Sequence, residues 1–201
     1  MYEKQRTRYK GFNVLDEKKE WDQHTEEIVL KRLGPFAAPK FLLPEEKEML
    51  KAIASHLIYD DRKEILEFVI NHTDESLTSP VGEGERKPDA PPLKDLIRWG
   101  LKALDNAARG QFDCSFVELN AGQQFEMVAA LQKAKAYLVP DWQQIPQKEL
   151  FKKLASLIVS AYYAHPTIWS EIGYAGPAYP RGYVRLEFGL TDPWEAERNE
   201  E

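Results

Sequence analysis

The feature that most constrains this chain is the spacing of its apolar residues, which recur every three or four positions in six separate segments. In "LLPEEKEMLKAIASHLI", for example, Met49, Ile53 and Leu57 fall on one face of a helix. The only candidate for strand-like alternation is "YVRLEFGL" at residues 183–190. We therefore predict an all-α protein, a bundle of about six helices followed by an irregular C-terminal arm.

Polar and proline residues predict where these helices begin and end. The predicted starts are at Asp22, Pro44, Asp61, Asn120 and Pro146. Asp61 and Glu64 have the spacing of a capping box, as do Asn120 and Gln123. Gly110 is expected to cap the C-terminal end of "LKDLIRWGLKALDNAARGQF", and Pro166 to end the last helix.

Composition along the chain predicts two parts. Residues 1–39 read as a polar N-terminal extension with one helix, and residues 40–201 as a single helical domain. That domain ends in the arm at 165–190 and an acidic tail. Residues 79–92, "SPVGEGERKPDAPP", are rich in proline, glycine and charge and are expected to form a long loop.

Charge and hydropathy argue against several function classes. The 201 residues include 33 acidic and 27 basic side chains, a net charge of −6, whereas nucleic-acid binding depends on basic side chains. No apolar run reaches the roughly 18 residues that a membrane span requires. The N-terminus lacks an export signal, so we expect a cytoplasmic location. A single cysteine, Cys114, rules out an intramolecular disulfide and a multi-cysteine metal cluster.

Motifs that carry chemistry are missing from the sequence. The four histidines form neither a Glu-x-x-His nor a His-Glu-x-x-His pattern, and no nucleophile or nucleotide-binding glycine motif occurs. We therefore expect no catalytic, cofactor-binding or metal-binding residue in this chain. One alternative stays open, a helical metal protein or enzyme that uses His165 with nearby carboxylates, which metal analysis of the purified chain would detect.

The segment "HPTIWSEIGYAGPAYPRGY", residues 165–183, differs from the rest of the chain. Its prolines restrict the backbone and its glycines allow sharp reversals. Its tyrosines and Trp169 are residue types that are enriched at protein interfaces. Such an arm needs a surface to lie on, either this protein's own helices or a second subunit, and composition alone does not decide between them.

Three stretches, in this order and spacing, resemble the gluconate 2-dehydrogenase subunit 3 family. They are "FLLPEEKEMLKAIASHLI", "GLKALDNAARGQFDCSFVELNAGQQFEMVAAL", and "YYAHP" followed by Trp169, Ile172-Gly173-Tyr174 and "GPAYPRGY". The similarity runs from about Lys40 to Tyr183. The chain departs from the family pattern at its start, because a polar extension stands where many members carry a twin-arginine export signal.

The resemblance implies a partner and no active site. Family members accompany a large FAD-dependent subunit of the glucose–methanol–choline oxidoreductase type, often with a multihaem cytochrome c. This implies a non-catalytic accessory subunit that stabilises a sugar, sugar-acid or polyol dehydrogenase. FAD, and an iron–sulfur cluster or haem, would belong to partner subunits, and a periplasmic or membrane-associated location would come through them.

The residues expected to contact that partner lie in and next to the arm. They are Tyr162, His165, Trp169, Tyr174, Tyr179, Arg181 and Tyr183. His165 and Pro166 are expected to set the direction in which the arm leaves the last helix. A stand-alone helical scaffold or chaperone-like protein with other clients is the alternative interpretation of the same residues.

Overall fold

The computed structural model of the chain describes residues 7–79, 90–185, 187 and 189–198. In these ranges it contains seven α-helices, three short 3₁₀ helices and no strand, which confirms the all-α prediction. The α-helices are α1 (Gln23–Lys31), α2 (Pro44–Ile58), α3 (Lys63–Thr78), α4 (Leu93–Phe112), α5 (Ala121–Gln132), α6 (Gln147–Tyr162) and α7 (Pro166–Ile172). The 3₁₀ helices are Val14–Glu20, Phe116–Glu118 and Pro140–Gln144.

Two sequence predictions fall partly outside the described residues. Positions 80–89 of the expected long loop are not among them, nor are Leu186 and Phe188 of "YVRLEFGL". The other residues of "YVRLEFGL" form no strand. Among the described helices, none is both long enough and apolar enough to cross a lipid bilayer.

The chain divides into two compact units. Met1–Pro35 and Tyr162–Glu201 form the first, which we call the terminal unit, and Phe36–Ala161 forms the second, the central unit. The contacts thus group the arm with the N-terminal extension, whereas the sequence analysis assigned the arm to a domain that begins at residue 40.

The central unit is built around α2, which packs against α3, α4 and α5. Its largest fully buried side chains include Leu50, Ile53, Ile65, Ile70, Leu96, Ile97, Leu101, Leu104, Phe116, Leu131 and Leu150. Gly100 allows α4 to approach α6 closely, because a Cβ on Gly100 would lie 2.4 Å from Leu150 Cδ1. Apolar stripes of helical period therefore meet in one core, as the sequence indicated.

Most of the predicted helix starts are observed. Pro44 occupies the first turn of α2, where the Leu43 N–H donates to Glu46 Oε2 at 2.9 Å. At the start of α5, the Gln123 N–H donates to Asn120 Oδ1 and the Asn120 N–H donates to Gln123 Oε1. This is the reciprocal capping box that the spacing predicted.

The predicted end of α4 is wrong. The helix continues past Gly110 to Phe112 and ends at Asp113, which adopts the left-handed conformation with φ +58°. Gly110 instead makes room for Tyr137, whose Cε1 would lie 2.8 Å from a Cβ at that position.

The start of α3 also differs from the prediction, because Arg62 and not Asp61 precedes its first helical residue. The local carboxylate is that of Asp60, which accepts from the Arg62 N–H and from the Arg62 guanidinium. The Asp60 carboxylate thus binds Arg62, two residues later in the chain. This local contact competes with the capping box that was predicted to begin at Asp61.

The terminal unit has a small apolar core of its own. Val14, Trp21, Val29 and Trp169 are buried together, and Phe12 and Leu15 pack against them. Asp22 caps α1 as predicted, since its Oδ1 accepts from the Thr25 N–H at 3.1 Å. The arm begins with a short helix, α7, because Pro166 occupies its first turn instead of only ending α6.

Candidate partner-binding surface

His165 and Trp169 fix the start of the arm. His165 Nδ1 accepts from the Thr167 N–H at 3.1 Å and so caps α7. Four residues later, Trp169 Nε1 donates to the Tyr163 carbonyl at 2.6 Å. Both side chains are buried, and Trp169 is only 6 % exposed. These two residues therefore hold the start of the arm in place within the terminal unit.

The surface that covers Trp169 comes from the N-terminal extension of the same chain. Val14 and Trp21 lie in or directly after the first 3₁₀ helix, which packs against α7. The Val14 N–H also donates to Ser170 Oγ at 3.0 Å. Composition alone did not decide what the arm lies on, and for this part of the arm the surface belongs to the same chain.

Two glycines of the arm provide the space for this packing. Gly173 and Gly176 have φ values of +75° and +81°. A Cβ on Gly173 would lie 2.6 Å from Tyr9 Cζ, and a Cβ on Gly176 would lie 2.8 Å from Trp21 Cζ2. Both positions thus require glycine, because φ is positive and because an aromatic ring lies where a side chain would be.

Arg32 packs over the same indole from α1's C-terminal end. Its guanidinium carbon lies 5.1 Å from the centre of the Trp169 ring, and its Nη1 donates to the Ala164 carbonyl at 2.8 Å. Burial lowers the pKa of Arg32. Tyr174 contacts the Trp169 ring edge-on with centroids 5.3 Å apart, and burial together with nearby Tyr183 raises the pKa of Tyr174.

Arg181 holds the middle of the arm. Its Nη2 donates to the Ala175 carbonyl at 2.6 Å and its guanidinium lies 4.9 Å from the centre of the Trp194 ring. Its Nη1 is 3.7 Å from Glu17 Oε2, which is an ion pair longer than a hydrogen bond. Nε and Nη1 are buried and have no hydrogen-bond acceptor within the described ranges.

The next turn of the arm is held by a buried carboxylate. Asp192 Oδ1 accepts from the Arg185 N–H at 2.8 Å, and Asp192 Oδ2 accepts from the Val184 N–H at 3.2 Å. Tyr179 and Tyr183, which flank Arg181 in sequence, remain 68 % and 60 % exposed. We call these two tyrosines the exposed pair. Their backbone is held on both sides while their rings face solvent.

The structure thus divides the seven predicted contact residues. His165, Trp169 and the side chain of Arg181 are buried within the terminal unit. Tyr162 is partly buried against Tyr163, with ring centroids 5.3 Å apart, and Tyr174 is partly exposed. Only the exposed pair presents most of its surface.

The residues that cover the arm from the N-terminal side were not among the predicted site residues; they are Tyr9, Val14, Trp21 and Arg32. A weak signal was present, because Trp21 and Val14 are large apolar residues in an otherwise polar segment. Their partner lies about 150 positions away, and a single sequence gives no indication of so distant a contact.

The arrangement of the arm is suited to binding. Within the described ranges, no three His, Cys, Asp or Glu side chains are grouped so that they could hold a metal ion. Arg181 and Asp192 of the terminal unit fix the backbone of the arm, and its exposed side chains include Tyr174, Tyr179 and Tyr183. Tyrosine combines a large apolar area with a hydroxyl, which suits contact with another protein.

Comparison with known proteins agrees with the resemblance seen in the sequence. The family described as gluconate 2-dehydrogenase subunit 3 matches residues 44–176, about two thirds of the chain. No curated protein and no solved structure matches it. The match includes all helices from α2 to α7 and stops before the exposed pair. The chain therefore belongs to the gluconate 2-dehydrogenase subunit 3 family.

Proposed function

We propose that this chain is a non-catalytic accessory subunit that binds and stabilises the large FAD-dependent subunit of a sugar, sugar-acid or polyol dehydrogenase. The family description, a numbered subunit of a dehydrogenase, supports an assembly with other subunits. A subunit that binds only the folded form of its partner stabilises that form by mass action. FAD, and a haem or iron–sulfur centre for onward electron transfer, would belong to those partners.

The observation that carries this proposal is the exposed pair. Tyr179 and Tyr183 lie on either side of Arg181, whose hydrogen bond to Ala175 holds the backbone between them. Binding through such residues costs little conformational entropy, since tyrosine has few rotatable bonds and the backbone is already ordered. We propose that Tyr162 and Tyr174 complete the contact area around the exposed pair, and that the buried Arg181 side chain supports it from below.

His165 and Trp169 have a different role in this proposal. Both are buried, so they act by holding the arm in the conformation that presents the exposed pair. The N-terminal extension contributes in the same way through Val14 and Trp21. The proposed contact surface is therefore a property of the assembled terminal unit.

Co-expression with the large flavoprotein subunit of the same organism tests the proposal. We expect the two chains to purify together and the flavin content of the large subunit to fall when this chain is omitted. Replacing the exposed pair by alanine (Tyr179→Ala with Tyr183→Ala) should weaken binding at least about thirtyfold, the effect of losing about 2 kcal/mol at an interface.

The control is Phe125→Ala, which removes a 52 % exposed aromatic side chain from α5 in the central unit. This variant should bind like the wild type. Equal yield and flavin content of the large subunit with and without this chain would disprove the stabilising role. Equal affinity of the wild type and the double variant would place the contact elsewhere.

A further inference from the structure

A second surface feature lies in the central unit, between α4 and the 3₁₀ helix Pro140–Gln144, which pack against each other. A cavity of about 450 Å³ opens there, within the range of about 300–1,000 Å³ typical of small-molecule sites. Its lining consists of Trp99, Lys102, Pro140, Asp141, Gln143, Gln144 and Ile145. We propose that this cavity is a binding site for a neutral saccharide.

The walls of the cavity are held in place before any ligand binds. Asn106 Nδ2 donates to both carboxylate oxygens of Asp141, each at 3.2 Å, which ties the 3₁₀ helix to α4. Trp142 Nε1 donates to the Tyr137 carbonyl at 2.9 Å, and Ile145 is buried. A preformed site loses less conformational entropy on binding than a flexible one.

The aromatic part of the cavity is supplied by Trp99, which is 42 % exposed although tryptophan is usually well buried. One face of a pyranose ring consists of C–H bonds. The face of an indole carries partial negative charge and attracts such weakly positive C–H groups. An exposed tryptophan at the wall of a cavity therefore offers a surface on which a sugar ring can stack.

The polar part of the cavity suits the hydroxyl groups at the edge of such a ring. Each hydroxyl both donates and accepts, and the amides of Gln143 and Gln144 do the same. Lys102, Gln143 and Gln144 are exposed at the cavity, so the Lys102 ammonium and both amides can reach a ligand that enters from solvent. The Asp141 carboxylate, held by Asn106, adds a further acceptor.

The same lining argues against other ligand classes. Lys102 and Asp141 carry opposite charges, so the cavity lacks the excess of positive charge that a phosphate needs. A purely apolar ligand would cover the exposed polar groups of Lys102, Gln143 and Gln144 without giving them hydrogen-bond partners, which is unfavourable. A polyhydroxylated ring can stack its C–H face on the indole and form hydrogen bonds with the polar groups through its hydroxyls. The inference does not depend on the proposed partner, because every lining residue belongs to this chain.

Saturation-transfer NMR with the isolated chain tests the site directly, with cellobiose and methyl β-glucoside as probes and glycerol as a polyol without a ring face. We expect saturation of the ring C–H protons of both sugars and none of glycerol. Titration should give dissociation constants in the millimolar range, about 1–10 mM, typical of small ligands in open sites.

Variants assign the binding to the cavity. Trp99→Ala should weaken binding at least about tenfold, and Trp99→Phe, which keeps an aromatic face, should weaken it less. Gln143→Ala offers a second test that leaves the indole and the fold in place. Phe125→Ala, which removes an exposed aromatic side chain outside the cavity, should bind like the wild type.

No saturation transfer to either sugar would overturn the inference. Equal affinity of the wild type and Trp99→Ala, with both folded by circular dichroism, would overturn it as well. Neither result would bear on the exposed pair, because the double variant that tests its role changes only Tyr179 and Tyr183 of the terminal unit.

Discussion

The backbone of Gly176 lies against the indole of Trp21, so closely that a methyl group on Gly176 would come within 2.8 Å of Trp21 Cζ2. The two residues are 155 positions apart in the chain. Their contact packs the N-terminal extension against the arm within the terminal unit. This fit depends on the absence of a side chain at Gly176 and on its φ of +81°.

Gly176→Ala is therefore expected to lower the free energy of unfolding of the terminal unit by about 2–3 kcal/mol, combining backbone strain with a displaced ring. Gly182→Ala is the matched control, since Gly182 also has a positive φ, +71°, but a Cβ added there would meet nothing within 4 Å. It should cost about 1 kcal/mol, the strain alone. Chemical denaturation followed by tryptophan fluorescence measures both, and equal effects would contradict the contact.

Asp74 is the second position where we expect a substitution to lower the free energy of unfolding strongly. It is buried, and its carboxylate accepts three consecutive backbone N–H groups, those of Lys40, Phe41 and Leu42, at 2.7–3.0 Å. It thereby fixes the segment that leads into α2. A single side chain that satisfies three donors leaves all three without their acceptor when it is removed.

Asp74→Ala should accordingly lower the free energy of unfolding of the central unit by about 3 kcal/mol or more. Asp74→Asn, which keeps one acceptor oxygen, should cost less. Asn71→Ala on the same helix removes only a 3.4 Å exposed bond to the Ala37 carbonyl and should stay within about 0.5 kcal/mol of the wild type. Thermal or urea denaturation measures the loss of stability in each of the three variants. An Asp74→Ala variant that loses no more stability than Asn71→Ala would contradict this role of Asp74.

Local chemistry explains which features of the fold could be predicted from the sequence. The cap at Asp22, the proline at Pro44 and the capping box at Asn120 depend on contacts three or four residues apart, and all are observed. The apolar stripes likewise need only the helical period. These features follow from short-range rules that hold almost regardless of the tertiary structure.

Most of the features that could not be predicted depend on distant residues. Gly110 was predicted to end α4, but the helix continues past it, and the Tyr137 ring occupies the space that a side chain at Gly110 would fill. The burial of Trp169 is another example, because Val14 and Trp21, which cover it, lie about 150 positions earlier in the chain. An aromatic arm could be predicted from composition, and the exposure of each of its rings could not.

Glu67 provides a test by pH. Its carboxylate accepts from Lys47 Nζ at 2.8 Å and from Lys51 Nζ at 2.7 Å. These two hydrogen bonds lower the pKa of Glu67 below its ordinary value of 4.5. A lowered folded-state pKa means that the stabilisation is present above the unfolded-state pKa and disappears as the pH falls through the folded-state value.

Glu67→Gln should thus lower the free energy of unfolding by about 1 kcal/mol at neutral pH, since the group is partly exposed and screened by solvent. The difference from the wild type should shrink below about pH 4.5 and vanish once Glu67 is protonated in the folded protein. Glu48→Gln is the control, because Glu48 is exposed and 3.4 Å from the Lys51 ammonium. A Glu67→Gln effect that does not change with pH would contradict the ion-pair explanation.

Variants at Trp169 and at the exposed pair should distinguish residues that stabilise the chain from residues that are available to bind a partner. Trp169 is buried under Val14, Trp21 and the Arg32 guanidinium, so Trp169→Ala should lower the free energy of unfolding by about 3–5 kcal/mol. Tyr179→Ala and Tyr183→Ala remove exposed rings and should each change it by less than about 0.5 kcal/mol. Urea denaturation and near-ultraviolet circular dichroism of the isolated chain measure both effects. If loss of either tyrosine destabilised the chain as much as loss of Trp169, the tyrosines would be packing residues and would not be available to a partner.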